Sequence, residues 1–307
     1  FNQQKRYKLL ISNGINPVKA ANIIFSIPEV TKPNLLIIIG SIFFVIFTLL
    51  VGTSKMALSQ EIVFVGSFMI ILFLLFKLSN ELDANAKKML IGTAIIIFVF
   101  RAMPGVGQGG SWFEIDILGF DQEFLSLLGL IASFLTILGI FVLRPLMEKS
   151  SMTRLIVILS IAGSFFILPS IAMFYGFHEF TSKLTNGLVD ARFIAIFNTA
   201  LESPLGQVSM IPILAWIAQS APNHLKATFF AVLASFTNLA LSASNLGTKY
   251  LNQIYVITRE VKNDLGIIKT PADYSELGIL LIIVCALTLI IPILVTYIVK
   301  KLKLLSY

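Results

Sequence analysis

Eight stretches of this chain are apolar over roughly the length needed to cross a lipid bilayer, and no other feature limits its folding as much. They are residues 35–51, 62–76, 89–103, 124–143, 155–175, 191–217, 227–246 and 277–299. A membrane-crossing helix takes about 20 mainly apolar residues, because each adds about 1.5 Å of rise to a hydrocarbon core about 30 Å thick. Eight such stretches predict an all-α, polytopic transmembrane helical bundle. The rest of the composition agrees, since 57% of the 307 residues are hydrophobic and only 13% are charged. A water-facing surface needs more charge than that, which excludes an ordinary soluble enzyme. The one cysteine, Cys285, lies inside an apolar run, so disulfides and cysteine metal clusters are excluded.

The net charge of +7 reads as membrane topology and not as nucleic-acid binding, because basic residues stay on the cytoplasmic side. Taking alternate connections, fifteen of the 23 Lys and Arg fall on one side, six on the other, and Arg101 and Arg192 lie within spans. Both termini are therefore expected in the cytoplasm of an inner or plasma membrane. The connection 104–123 carries Glu114, Asp116, Asp121 and Glu123 with no base. Residues 1–34, with Pro17, Pro28 and Pro33, read as a cytoplasmic linker holding at most a surface-lying helix. The chain starts on Phe and no signal peptide precedes its first span, so it is expected to be a fragment of a longer protein.

A charge at mid-membrane costs at least about 2.5–3.5 kcal/mol, so each intramembrane ionisable group is a functional hypothesis. Arg101 ends the third span before Pro104 and Gly105, Gly107, Gly109 and Gly110. It reads either as a side chain snorkelling to the interface or as a cation facing a wet cavity. The sixth span holds Asp190, Arg192, Asn198, Glu202, Pro204, Gly206, Gln207, Ser209 and Pro212. Asn198, Glu202, Gly206 and Ser209 share a face, so Glu202 is expected to look into the protein, toward a cavity or a structural partner such as Arg101. Pro204 and Pro212 remove backbone donors, which predicts a bent or broken helix at that depth. Asp190 and Arg192 are expected at the outer interface as a solvated or gating pair. In the seventh span Ser235, Asn238, Ser242 and Asn245 are spaced 3, 4 and 3. That stripe either bonds a neighbouring helix or lines an aqueous path. Gly129 and Ser133 make a small-xxx-small pair that predicts close packing in the fourth span.

Other signals carry less. The run 105–110 lacks the strand and the Lys-Ser/Thr of a phosphate loop and reads as a flexible turn. His178 and His224 are isolated, and neither HExxH nor GxSxG occurs, so no metal site, cofactor site or catalytic constellation is expected. No channel filter signature is present.

The segments Phe100-Arg101-Ala102-Met103-Pro104, Trp112 through Phe120, Ala200-Leu201-Glu202-Ser203-Pro204-Leu205-Gly206-Gln207 with Ile211-Pro212, and Lys226 through Ala231 with Ser235 and Asn238 resemble, in order, the second half of the folate–biopterin transporter family of the major facilitator superfamily. The likeness covers about residues 89–298. The connection Arg144 through Arg154 takes the place of that superfamily's basic loop but departs from its Gly-x-x-x-Asp-Arg form. The resemblance implies a six-helix C-terminal half at 89–299, with 35–77 as two extra leading helices, either the end of an N-terminal half or an inserted pair. It also implies a proton-coupled or facilitated carrier of folates, pterins or related organic anions, working by alternating access against an N-terminal half absent from this chain. Under it Arg101 neutralises a substrate carboxylate, Glu202 takes up a coupling proton, and Asn198, Gln207, Asn238 and Asn245 read a polar heterocycle. The alternatives are a carrier of another solute, such as a nucleoside or peptide, and a membrane assembly or binding factor that does not transport.

Overall fold

The computed structural model describes residue 11 and residues 35–54, 56, 58–206, 208–220, 226–263 and 265–304. The expected linker 1–34 lies outside the described residues apart from Ile11, as do Gln207 and His224. The chain divides into two compact units, Phe1–Ile42 and Phe43–Tyr307. Of the first, the described part beyond Ile11 is the opening of helix α1 (Leu35–Gly52). The second holds the remainder of α1 and α2 (Ser59–Ser79), α3 (Ala84–Arg101), α4 (Gln108–Asp116), α5 (Gln122–Val142), α6 (Arg144–Lys149), α7 (Met152–Phe174), α8 (Phe177–Leu184), α9 (Ala191–Glu202), a 3-10 turn (Ser203–Leu205), α10 (Met210–Ser220), α11 (Lys226–Ile254), β1 (Val261–Lys262), β2 (Ile268–Thr270) and α12 (Leu277–Lys301).

Each of the eight expected spans falls on helix, and α2, α5, α7, α11 and α12 are long and apolar enough to cross a membrane. The chain is thus an all-α polytopic bundle, with one short antiparallel hairpin that the apolar pattern did not signal. Polar caps set where the helices start. The carboxylates of Asp83, Asp121 and Asp190 accept from the backbone N–H of Ala86, Phe124 and Phe193 at 2.7, 2.8 and 2.8 Å, and Ser151 does the same for Arg154 at 3.3 Å. These bonds satisfy donors that the first turn of a helix leaves free.

The most extensive helix pairing is the antiparallel one of α7 with α12. Small residues let the two backbones approach: Ser164 Oγ reaches Cys285 O at 3.2 Å, and a Cβ on Gly163 would touch Thr288 at 3.6 Å. The expected break in the sixth span is present, as α9 ends at Glu202 and the 3-10 turn carries Pro204 onto α5. Gly139 makes room there, because a Cβ at that position would strike the Pro204 backbone. Thr136 Oγ1 fastens the crossing by donating to Ser203 O at 2.9 Å. This corrects the close packing expected of Gly129 and Ser133, both of which are exposed. The turn docks one side of α5 at Gly139 and leaves Gly129 facing open space.

The stretch 105–110, read as a turn, is a turn only to Gly107. Gln108, Gly109 and Gly110 open α4, with Gly109 buried against Ile257. Beyond α11 the hairpin is fastened to α4: Arg259 donates to both oxygens of Asp116 at 2.7 and 2.8 Å, and Tyr274 OH donates to Oδ2 at 2.7 Å.

Candidate functional site

Helix α11 organises the polar groups of the bundle. Its 29 residues span about 43 Å at 1.5 Å per residue, more than the hydrocarbon thickness, so it runs past the end expected at 246 and carries Thr248, Lys249 and Asn252 on helical turns. One of its faces is tied to the loop that follows α3. Ser244 Oγ donates to Met103 O at 2.6 Å, Thr248 Oγ1 accepts from Gly105 N at 2.8 Å, and Asn252 Nδ2 donates to Val106 O at 3.1 Å.

A second face, rotated by about one residue's 100°, carries the stripe read from the sequence. Ser235, Asn238, Ser242 and Asn245 are all exposed and line a cavity of 520 Å³ against α2 and the later part of α1. Opposite them stand Phe44 and Thr48 from α1, and Gln60, Phe64, Ser67 and Ile71 from α2. Ser67 is buried, and its hydroxyl has no hydrogen-bond partner. Amides and hydroxyls between aromatic walls suit a flat, hydrogen-bonding guest, and the volume falls in the range of small-molecule sites.

The other residues singled out in the sequence do not join that wall. Arg101 donates from Nε to Thr237 O at 3.2 Å and approaches Met210 Sδ at 3.2 Å, so it ties the end of α3 to α11 and α10. Asn198 is half-buried on α9, which packs against α5 and α7. Glu202, expected to look inward, is exposed, and its carboxylate has no ion pair among the described residues. The helix ends at that residue and the chain turns away over Gly139, which takes the inward neighbours with it. Asp190 and Arg192 are not a pair. Asp190 caps α9, whereas Arg192 Nη2 donates to Asp121 Oδ2 at 2.7 Å and its guanidinium lies 5.1 Å from the Phe124 ring centre. Residues two apart on a helix point to different sides, which is why adjacency in sequence misled here.

The sequence reading missed the contribution of α2. Gln60 and Ser67 line the cavity, and beside them Glu61 Oε1 accepts from Lys249 Nζ at 2.7 Å and from Tyr250 OH at 2.8 Å. One signal was available: Lys249 lies four residues beyond Asn245 and continues its stripe.

The folate-biopterin transporter of Synechocystis sp. is 21% identical to this chain over 154 residues, which is 50% of this chain and 30% of that protein. The chain therefore matches less than a third of that relative's length. No solved structure matches it. The BT1 family matches residues 75–306, which takes in the end of α2 and α3 through α12, so the polar stripe of α11 lies inside the match and the facing residues of α1 and α2 lie before it. With that match covering most of its length, the chain belongs to the BT1 family.

Proposed function

We propose that this chain supplies the substrate-lining helices of a secondary carrier that moves a small organic anion, such as a folate or a pterin, across the membrane by alternating access. The observation that carries the reading is the cavity between α1, α2 and α11, with four polar residues of one helical stripe facing Gln60 and the unpartnered hydroxyl of Ser67. A buried hydroxyl without a partner costs about 1–3 kcal/mol, and a polar guest offsets that cost. Family membership and the printed name of the Synechocystis protein supply the substrate class. Residues 89–299 act in this reading as one six-helix half that rocks against a second half, with 35–77 alongside it and both termini in the cytoplasm.

Asn238 and Asn245 read the guest. Arg101, Asn198, Glu202, Asp190 and Arg192 lie outside that cavity wall, and Arg101, Asp190 and Arg192 are engaged in bonds that tie helices and loops together. The test is uptake by the complete gene product in vesicles. Gradient-dependent accumulation of folate or pterin that falls at least tenfold in Asn238→Ala with Asn245→Ala supports the carrier. Accumulation of a nucleoside or peptide in its place replaces the substrate class, and intact membrane assembly with no uptake of any of these replaces the carrier by a binding or assembly factor.

A further inference from the structure

The polar stripe of the cavity ends on a charge. Ser235, Asn238, Ser242 and Asn245 are followed after four residues by Lys249, one more turn of the same face. Its ammonium donates to Glu61 Oε1 at 2.7 Å, and the two side chains are 34% and 17% exposed. Tyr250 OH donates to the same oxygen. The second oxygen, Glu61 Oε2, is buried with no hydrogen-bond partner. Gln60 lines the cavity, whereas Glu61 borders the neighbouring apolar hollow with Phe47, Leu58 and Ile62, so this ion pair stands one helical turn beyond Asn245, outside the cavity wall.

The bonds from Lys249 and Tyr250 hold the carboxylate ionised while the pair is intact, although its second oxygen has lost water and gained nothing in return. Protonation alone leaves Lys249 a partly buried cation without a counter-ion, which is also unfavourable. An incoming carboxylate removes the second problem, and the local charge then stays constant: Glu61 carboxylate, ligand carboxylate and a proton become a Glu61 carboxylic acid and a ligand carboxylate on the Lys249 ammonium. No other ionisable group competes nearby among the described residues. Lys249 and Tyr250 face Glu61 from α11, the bordering Phe47, Leu58, Ile62 and Val65 do not titrate, and the next charge on α2 is Lys77 at its far end. Lys55 in the preceding turn lies outside the described residues.

We propose that Lys249 is the cation that receives the carboxylate of a ligand seated in this cavity and reaching past Asn245, and that Glu61 occupies it until a proton releases it. This assignment rests on the transport reading of the cavity and gives that reading its anion selectivity and its proton. It replaces the role that the family resemblance implied for Arg101, which is committed to Thr237 O.

The test uses the complete protein purified in detergent, titrated with folate and with 6-hydroxymethylpterin, which keeps the ring and lacks the carboxylates. In the wild type, folate affinity falls by up to about tenfold per pH unit as the pH rises, since each folate bound takes up a proton, while pterin affinity stays flat. Lys249→Met weakens folate by about thirtyfold or more and leaves pterin within about twofold. Glu61→Gln holds the acid-side folate affinity at every pH. The double variant Glu61→Gln with Lys249→Met, which strands no charge, binds pterin and has lost the pH dependence for folate. Folate binding indifferent to Lys249→Met, or a full pH slope in Glu61→Gln, overturns the assignment alone. Failure of the wild type to bind either compound overturns the transport reading, and the assignment with it.

Discussion

Helix α11 shows the same kinds of side chain used in two ways. On one face Ser244, Thr248 and Asn252 repeat every four residues and are consumed by the backbone of residues 103–106. On the other Ser235, Asn238, Ser242 and Asn245 stand open to a 520 Å³ cavity. Composition does not separate the two, and neither does helical spacing. The difference is what arrives opposite: a loop whose Pro104 and Gly107 fit closely against Gly247 and Asn252 on one side, and on the other two helices that leave a cavity lined by Phe44 and Phe64. Polar stripes in membrane helices serve packing or a wet path, and here one helix serves both.

The sharpest way to break the comparison is to damage the closed face from the loop side. Gly107 sits at φ 78° and ψ −161°, a region that essentially only glycine occupies, and a Cβ there would come 2.9 Å from Asn252 Nδ2. Gly107→Ala is expected to cost about 1–3 kcal/mol from the backbone alone, with more from the collision, read as a lower denaturation midpoint in detergent. A smaller effect follows from the helix side. Thr248→Val leaves the Gly105 N–H without its acceptor and is expected to cost about 1–2 kcal/mol, whereas Asn245→Leu on the open face removes no bond and is expected to stay within about 0.5 kcal/mol. Ligand affinity should reverse that order, with Asn245→Leu the damaging change. Equal losses of stability from the two would mean that the open face is also packed.

The spans were legible because an apolar run of membrane length has few ways to fold. The break after Glu202 was legible for a similar reason, since Pro204 has no N–H to give. The site was legible only in part. The stripe from Ser235 to Asn245 shows in the spacing, but its partners on α2 lie far away in sequence, and no local pattern joins Glu61 to Lys249. Lys249 was further hidden because apolar character fades after 246 while the helix continues to Ile254. Hydropathy marks where a helix leaves lipid, not where it ends. Around Glu202 the spacing is a weaker guide, as its face was projected past a helix terminus where the backbone no longer follows it. Glycine-rich α4 was missed because glycine is a poor helix former, and only its packing on Ile257 reveals it.

The closed face has a continuation outside the spans, and it supplies the smallest and most selective test. Asp116 at the end of α4 holds Arg259 and Tyr274, so the hairpin is fastened to the same short helix that the loop 103–107 leads into. The bonds from Arg259 and then Tyr274 lower the Asp116 carboxyl below the usual aspartate range. Burial, with the bond to Asp116, pushes the Tyr274 phenol up to about 12. With its folded value below its unfolded one, Asp116 stabilises the fold above the ordinary aspartate range, and that contribution fades as the pH falls through the lowered value. Acidification should therefore loosen the hairpin first, seen as faster amide exchange at Thr258 and Asp273, whose backbones pair with each other, while exchange along Ser244–Asn252 stays slow. Asp116→Asn should give the loosened hairpin at neutral pH and remove most of the acid response. Because the surface charges here are well solvated the change in global stability is expected to be small, and a loss of protection along α11 in the same variant would show that the cap and the closed face unfold as one unit.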